Sequence, residues 1–195
     1  METSYVELQE TRVLRVKADM KGKGPSAAFN LLESKLPTIR GRKFYGTFQF
    51  TPDGEEYYAC VVRIDADDPE KMQLETGTIP GGWYAKSKLM DWQKDVSKIA
   101  SLFEEMARTH DYDRKRPSIE FYRSQAELQL FLPVRSHPRS KQQRTRSSPV
   151  ENPDSSSPVY SVLKSPERDI LASFIKRGRG SSESFSAPEY LFSYY

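Results

Sequence analysis

The same order of secondary-structure elements is predicted twice in the first 134 residues, and this repeat limits the fold more than any other feature. In the first unit, alternating apolar residues predict strands at 11–20, 43–50 and 55–64. Apolar residues at helical spacing predict a helix at 25–39, between the first two strands. This unit therefore has the order strand, helix, strand, strand.

The second unit has the same order of strand, helix, strand, strand. Its pattern predicts an interrupted strand at 72–89, a helix at 91–109, and strands at 118–124 and 127–134. Each helix has a single apolar stripe, so both helices are expected on one face of one antiparallel sheet. The duplicated β-α-β-β pattern predicts an α+β fold whose other sheet face is free to form a ligand cleft.

The composition changes after residue 134, which places a domain at 5–134 and a tail at 135–195. The tail has 15 Ser and 6 Pro among few apolar residues, a composition typical of disorder. An N-terminal Ser-Pro pair, early acids and late bases predict one short helix within it, at 166–177.

The charge balance differs between these two parts. Residues 1–134 contain 20 Lys and Arg against 21 Asp and Glu, whereas the tail contains 10 against 6. A near-neutral body argues against specific nucleic-acid binding by the domain. The single cysteine and the lack of a long apolar run predict a cytoplasmic protein without a signal peptide or membrane span.

The carboxylate of Glu120 is the first candidate functional group. It lies between Ile119 and Phe121 in a strand, so alternation places Glu120 and Tyr122 on the opposite face from those two apolar residues. Alternation alone also allows an exposed acid that pairs with a nearby cation such as Arg123.

Five segments in order give the domain a resemblance to a known family. They are GRKFYG at 41–46, EYYACVV at 56–62, TIPGGWYA at 78–85, RPSIEFY at 116–122 and LFLPV at 130–134. Over residues 5–134 the chain resembles the GyrI-like family, which includes the effector-binding domains of multidrug-response regulators. No DNA-binding helix-turn-helix precedes the first predicted strand, so the stand-alone form of the domain is expected.

The resemblance implies an aromatic cleft with a glutamate at its floor, and this glutamate maps onto Glu120. It further implies a binding module for hydrophobic, cationic small molecules. The residues themselves predict neither a metal nor a cofactor, because no second His, Cys or paired carboxylate lies at ligand spacing from either histidine. The candidate ligand-binding residues are Glu120, Tyr122, Trp83, Tyr84, Tyr58 and Tyr45. Tyr57 and Tyr58 are neighbours on one strand, so only one of them can face the cleft.

Two other functions stay open at this point. Some GyrI-like proteins hydrolyse cyclopropane-bearing genotoxins, which would make Glu120 a catalytic general base, supported by Glu56 or Glu75. An autophagy receptor of the endoplasmic reticulum is similar in joining such a domain to a disordered tail, and the YSVL segment at 160–163 fits its aromatic-x-x-aliphatic motif. In that case the chain would be an adaptor with a protein partner.

Overall fold

The computed structural model describes residues 2–136, which form one antiparallel sheet of eight strands with helices packed against it. The strands are β1 Ser4–Leu8, β2 Thr11–Lys17, β3 Phe44–Thr51, β4 Gly54–Val62, β5 Glu75–Ile79, β6 Gly82–Met90, β7 Ser118–Tyr122 and β8 Glu127–Pro133. The helices are α1 Gly24–Lys35, α2 Pro69–Met72 and α3 Ser97–Thr109. The predicted α+β fold is confirmed.

The duplication is confirmed, and each unit contains one strand more than predicted. The strand order is β1-β6-β8-β7-β3-β4-β2-β5, so β3 and β7 join the two halves at the centre. The first strand of each half pairs with the other half: β1 pairs with β6, and β5 pairs with β2. The two units are therefore interlocked at the centre and at both edges of the sheet.

The two faces of the sheet bury different clusters of side chains. On the helix face, the residues of α1 and α3 pack on the sheet through Phe29, Leu32, Ile99, Phe103 and Met106. The second cluster contains no helix residue; it consists of Val13, Cys60, Ile79, Tyr84, Ile119 and Phe131. These side chains are at most 5% exposed although they come from six different strands, so the sheet curls around them. We call this side the concave face.

Local chemistry explains where the element boundaries differ from those predicted. Helix α1 ends at Lys35 because Leu36 precedes a proline and adopts an extended conformation, with φ −85° and ψ 138°. The predicted interruption near residue 80 separates β5 from β6. Helix α3 begins at Ser97, because a 3-10 turn at Trp92–Lys94 precedes it and Asp91 has a φ of 52°.

The segment after residue 136 lies outside the described residues. The predicted helix at 166–177, the motif at 160–163 and almost all of the predicted tail at 135–195 belong to it. Within residues 2–136, no helix is both long enough and apolar enough to cross a membrane.

Candidate functional site

Glu120 lies at the centre of β7, in the middle of the sheet, and is 3% exposed. Its neighbours in register are Gly46 on β3 and Leu130 on β8. The side chain points to the helix face, because Tyr122, two residues further on, belongs to the helix-face cluster. Burial contradicts the alternative of an exposed acid. The expectation that Glu120 faces the sheet surface without helices is wrong.

Two tyrosine hydroxyls bind the carboxylate of Glu120. Tyr57 donates to Oε2 at 2.8 Å and Tyr122 donates to the same oxygen at 2.7 Å. The two hydroxyl oxygens are 3.2 Å apart. A carboxylate is a stronger hydrogen-bond acceptor than a neutral group, so these bonds offset part of the cost of burying it.

Gly46 makes this arrangement possible. Tyr57 is on β4 and Glu120 is on β7, so the tyrosine must reach across the intervening strand β3. A Cβ atom at position 46 would lie 1.9 Å from the Tyr57 hydroxyl oxygen and 2.9 Å from Oε2 of Glu120. The missing side chain leaves the space in which the hydroxyl and the carboxylate meet.

Aromatic rings from outside the sheet cover the two tyrosines. The ring of Phe29 on α1 packs edge-on against Tyr122 at 5.1 Å and against Tyr57 at 6.5 Å between centroids. Trp92, in the 3-10 turn before α3, packs on Tyr122 at 5.3 Å. The site is thus a buried carboxylate with two hydroxyl donors and four aromatic rings around it. Such a group can attract a cation or exchange a proton.

The six predicted ligand-binding residues are divided between the two faces. Tyr122 contacts Glu120, and Trp83 is a partly buried residue packed against the helix-face cluster. Tyr45, Tyr58 and Tyr84 lie on the concave face. The structure therefore does not bring these last three together with Glu120.

Strand alternation is the reason for this division. Tyr45 precedes Gly46, Tyr58 follows Tyr57, and Tyr84 follows Trp83, so each points away from the face that its neighbour occupies. On the concave face, burial raises the pKa of Tyr84 to about 12, and its hydroxyl donates to the carbonyl of Pro80 at 2.8 Å. Tyr84 is a packed core residue of that face.

Three residues of the site were not among those predicted: Gly46, Phe29 and Trp92. Of the neighbours Tyr57 and Tyr58, the structure places Tyr57 at the site and Tyr58 on the concave face. Glycine inside a strand is a signal for close approach of another group, and Gly46 carried that signal. Phe29 and Trp92 lie outside the sheet, and their positions depend on how the helices pack. Sequence periodicity does not give that packing.

Glu56 and Glu75, the two acids proposed to support catalysis, lie on the opposite side of the sheet from Glu120. Glu56 pairs with Lys17 and Glu75 pairs with Arg15, across neighbouring strands of the concave face. Neither acid can therefore share a substrate with Glu120 in this arrangement. Hydrolysis by Glu120 stays a prediction, without support from these two residues.

Metal-binding side chains do not cluster in the described part of the chain. No group of three His, Cys, Asp or Glu side chains within residues 2–136 is arranged to hold a metal ion. Cys60 is 1% exposed, and burial raises the pKa of its thiol to about 12. This thiol is therefore not activated as a nucleophile.

Comparison with known proteins assigns the domain to a family. A family model described as the GyrI-like small molecule binding domain matches residues 1–135. The chain belongs to the GyrI-like family. The predicted resemblance is confirmed, and residues 1–135 form a GyrI-like small-molecule binding module.

Solved structures share the fold of this GyrI-like domain at low sequence identity. SAV2435 bound to tetraphenylphosphonium is 14% identical, with a TM-score of 0.53 over 70% of this chain and 95% of that chain. A protein from Staphylococcus aureus MU50 is 13% identical, with a TM-score of 0.50 over 70% of this chain and 99% of that chain.

A more distant structural match comes from the mobile metagenome of Vibrio cholerae. This integron cassette protein is 18% identical, with a TM-score of 0.45 over 68% of this chain and 95% of that chain. A sequence comparison with curated proteins found no match to the GyrI-like chain.

Proposed function

We propose that the domain binds small hydrophobic cations, and that the carboxylate of Glu120 receives the positive charge. The observation that carries this proposal is a carboxylate 3% exposed at the centre of the sheet, hydrogen-bonded to Tyr57 and Tyr122. Placing a carboxylate there costs free energy in a module that needs only a packed core. A role in ligand binding accounts for this cost.

The surroundings of Glu120 favour a cation with a large apolar surface. A positive charge about 4 Å from a carboxylate gains roughly 4 kcal/mol at an effective dielectric constant near 20, before desolvation is subtracted. Aromatic faces add about 0.5–2 kcal/mol each through cation-π contact. The rings of Tyr57, Tyr122, Phe29 and Trp92 are the nearest candidates for such contacts.

Binding requires a change in the aromatic cover. Phe29 and Trp92 pack directly on the tyrosines that hold the carboxylate. A ligand of more than a few atoms reaches Glu120 only after one of these rings has moved. We therefore expect a large ligand to change the fluorescence of Trp92.

Tetraphenylphosphonium is the first ligand to test, since SAV2435, which shares the fold, has been solved with it bound. Isothermal titration calorimetry of the full chain should give a saturable isotherm. In Glu120→Gln, affinity should fall at least tenfold, which corresponds to about 1.4 kcal/mol. Glu56→Gln is the matched control, because it removes a carboxylate from the concave face.

Two further measurements make the outcome decisive. Triphenylphosphine oxide is a neutral molecule with similar rings. It should bind the parent chain more weakly than the cation does, and it should bind the parent chain and Glu120→Gln with equal affinity. Circular dichroism and thermal unfolding should establish that each variant is folded. Equal affinity of a folded Glu120→Gln variant for tetraphenylphosphonium would refute the role of the carboxylate.

A further inference from the structure

A cavity opens on the concave face, on the other side of the sheet from Glu120. Its volume is about 250 Å³, and its lining comes from β2, β3, β4, the end of β5 and the segment that precedes β7. Pockets for drug-sized ligands measure roughly 300–1,000 Å³, so this one suits a smaller molecule. It shares no lining residue with the Glu120 site.

The lining of the cavity contains both apolar and polar side chains. Val13, Ile79, Pro80 and Pro117 supply the apolar surface. The hydroxyl of Thr47, which lies 3.9 Å from the Cys60 sulfur, supplies a polar group. A ligand of this cavity should therefore combine an apolar side with polar groups.

Among the described residues, Arg15 offers one free N–H group to the cavity, although its charge is paired with Glu75. The guanidinium of Arg15 stacks 4.2 Å from the centre of the Tyr58 ring and uses Nε and Nη2 to bind Glu75. Its Nη1 has no hydrogen-bond acceptor within residues 2–136. Glu56, the carboxylate of the lining, is already paired with Lys17.

Lys115 adds a second cation at the edge of the cavity. Its ammonium group has no carboxylate oxygen within 4.0 Å in the described part of the chain. The backbone next to it is held in place, because Gln49 donates from Nε2 to the Lys115 carbonyl at 2.9 Å. This wall is present before a ligand binds, which lowers the ordering cost of binding.

We propose that this cavity is a second binding site, for a small organic acid with an apolar body. The carboxylate of the ligand binds Nη1 of Arg15 and the ammonium group of Lys115, and its apolar body packs on Val13, Ile79 and Pro117. The domain then has two sites of opposite charge preference, one on each face of the sheet.

Benzoate is the probe for this site, used with the full chain in an NMR titration of ¹⁵N-labelled protein. Saturable shifts are expected at the amides of Thr47, Gln49, Tyr58 and Thr78. Lys115→Gln and Arg15→Gln should each weaken binding about tenfold, the effect of one lost charge-assisted contact. The matched control is Arg114→Gln, an exposed neighbour that does not line the cavity.

Two comparison ligands distinguish binding at the proposed site from nonspecific electrostatic attraction. Benzylammonium should not shift these amides, and inorganic phosphate should shift them far more weakly than benzoate. Glu120→Gln should leave benzoate binding unchanged, which makes this test independent of the proposed cation site.

Several results would overturn the second site. They are the absence of saturable shifts, equal binding of benzylammonium or phosphate, and undiminished benzoate binding in Lys115→Gln. Because Arg15 also pairs with Glu75, Arg15→Gln can lose stability for a separate reason. Gly77→Ala is then the substitute, since its Cβ would lie 2.6 Å from Cδ of Arg15 and displace that side chain.

Discussion

At the scale of single residues, the site depends on how a buried carboxylate is hydrogen-bonded. Oε2 of Glu120 accepts two hydroxyl hydrogen bonds of 2.7 and 2.8 Å inside an aromatic cluster. A hydrogen bond to a charged group is worth about 1.5–3 kcal/mol, and removing one donor leaves a buried acceptor less well satisfied. Tyr57 and Tyr122 therefore contribute to stability and, in the proposed function, also to ligand binding.

Removal of one hydroxyl should destabilise the folded domain. We expect Tyr57→Phe to lower the free energy of unfolding by about 1.5–3 kcal/mol, because it removes a donor to Glu120 and keeps the ring. Urea denaturation followed by circular dichroism would measure the change. The control Tyr58→Phe should change stability by less than about 0.5 kcal/mol, because the Tyr58 hydroxyl donates no hydrogen bond within residues 2–136.

Gly46 and Tyr57 should be energetically coupled. Gly46→Ala places a methyl group 1.9 Å from the Tyr57 hydroxyl oxygen, so we expect a loss of about 1–3 kcal/mol from overpacking. Part of this loss should disappear in the double variant with Tyr57→Phe, because the clashing oxygen is gone. A double-mutant cycle from urea denaturation measures this coupling, and strict additivity would contradict the clash.

At the scale of elements, helix α1 carries a glutamate, Glu33, with one carboxyl oxygen that is buried without a hydrogen-bond partner within residues 2–136. Glu33 lies one turn after Phe29, and the buried oxygen is Oε1. Burial raises the pKa of Glu33 from 4.5 to about 7. The neutral form of this side chain is therefore favoured in the folded state.

The stability of the domain should depend on pH through Glu33. Between pH 4.5 and about 7 the folded chain holds a proton that the unfolded chain releases, so raising the pH lowers the free energy of unfolding. Glu33→Gln should remove this contribution. Urea midpoints of both chains at pH 4.5 and pH 8 would show it. Relative to the parent chain, the midpoint of the variant should be higher at pH 8 than at pH 4.5. An identical pH dependence in both chains would contradict the prediction.

The elements also show how far sequence patterns predict this protein. Periodicity predicted the repeat, the helices and the alternation of faces, because these depend on neighbours along the chain. It missed β1, a five-residue strand that depends on pairing with β6. It also could not decide between Tyr57 and Tyr58, since alternation separates two neighbours without telling which face the helices cover.

At the scale of the whole molecule, both halves contribute to the site and to both edges of the sheet. Tyr57, Gly46 and Phe29 come from the first half, and Glu120, Tyr122 and Trp92 come from the second. The exchange of β1 and β5 between the halves prevents either half from forming its own complete sheet. We propose that residues 5–134 are one folding unit and that 135–195 are an attached tail.

A shortened chain should test this unit. Because both clusters lie within the described residues, a chain of residues 1–136 should unfold cooperatively at a midpoint within about 2 °C of the full chain. Differential scanning calorimetry would compare them. A chain ending at Gln129 is the control, since it lacks Leu130 and Leu132, which are fully buried, and should not fold. A large drop in the midpoint of the 1–136 chain would place part of the unit in the tail.

The interlocking of the two halves has a consequence for the order of folding. Tyr57 and Glu120 are 63 residues apart in the chain, whereas the hairpins β3–β4 and β7–β8 are local. Contacts of long sequence separation carry a larger loop-closure cost, so we expect the site to form after the hairpins. Stopped-flow measurements should then find that a bound ligand slows unfolding and leaves the refolding rate almost unchanged. We therefore expect such a ligand to protect the domain only once its chain is complete, and not to guide the folding of a newly synthesised chain.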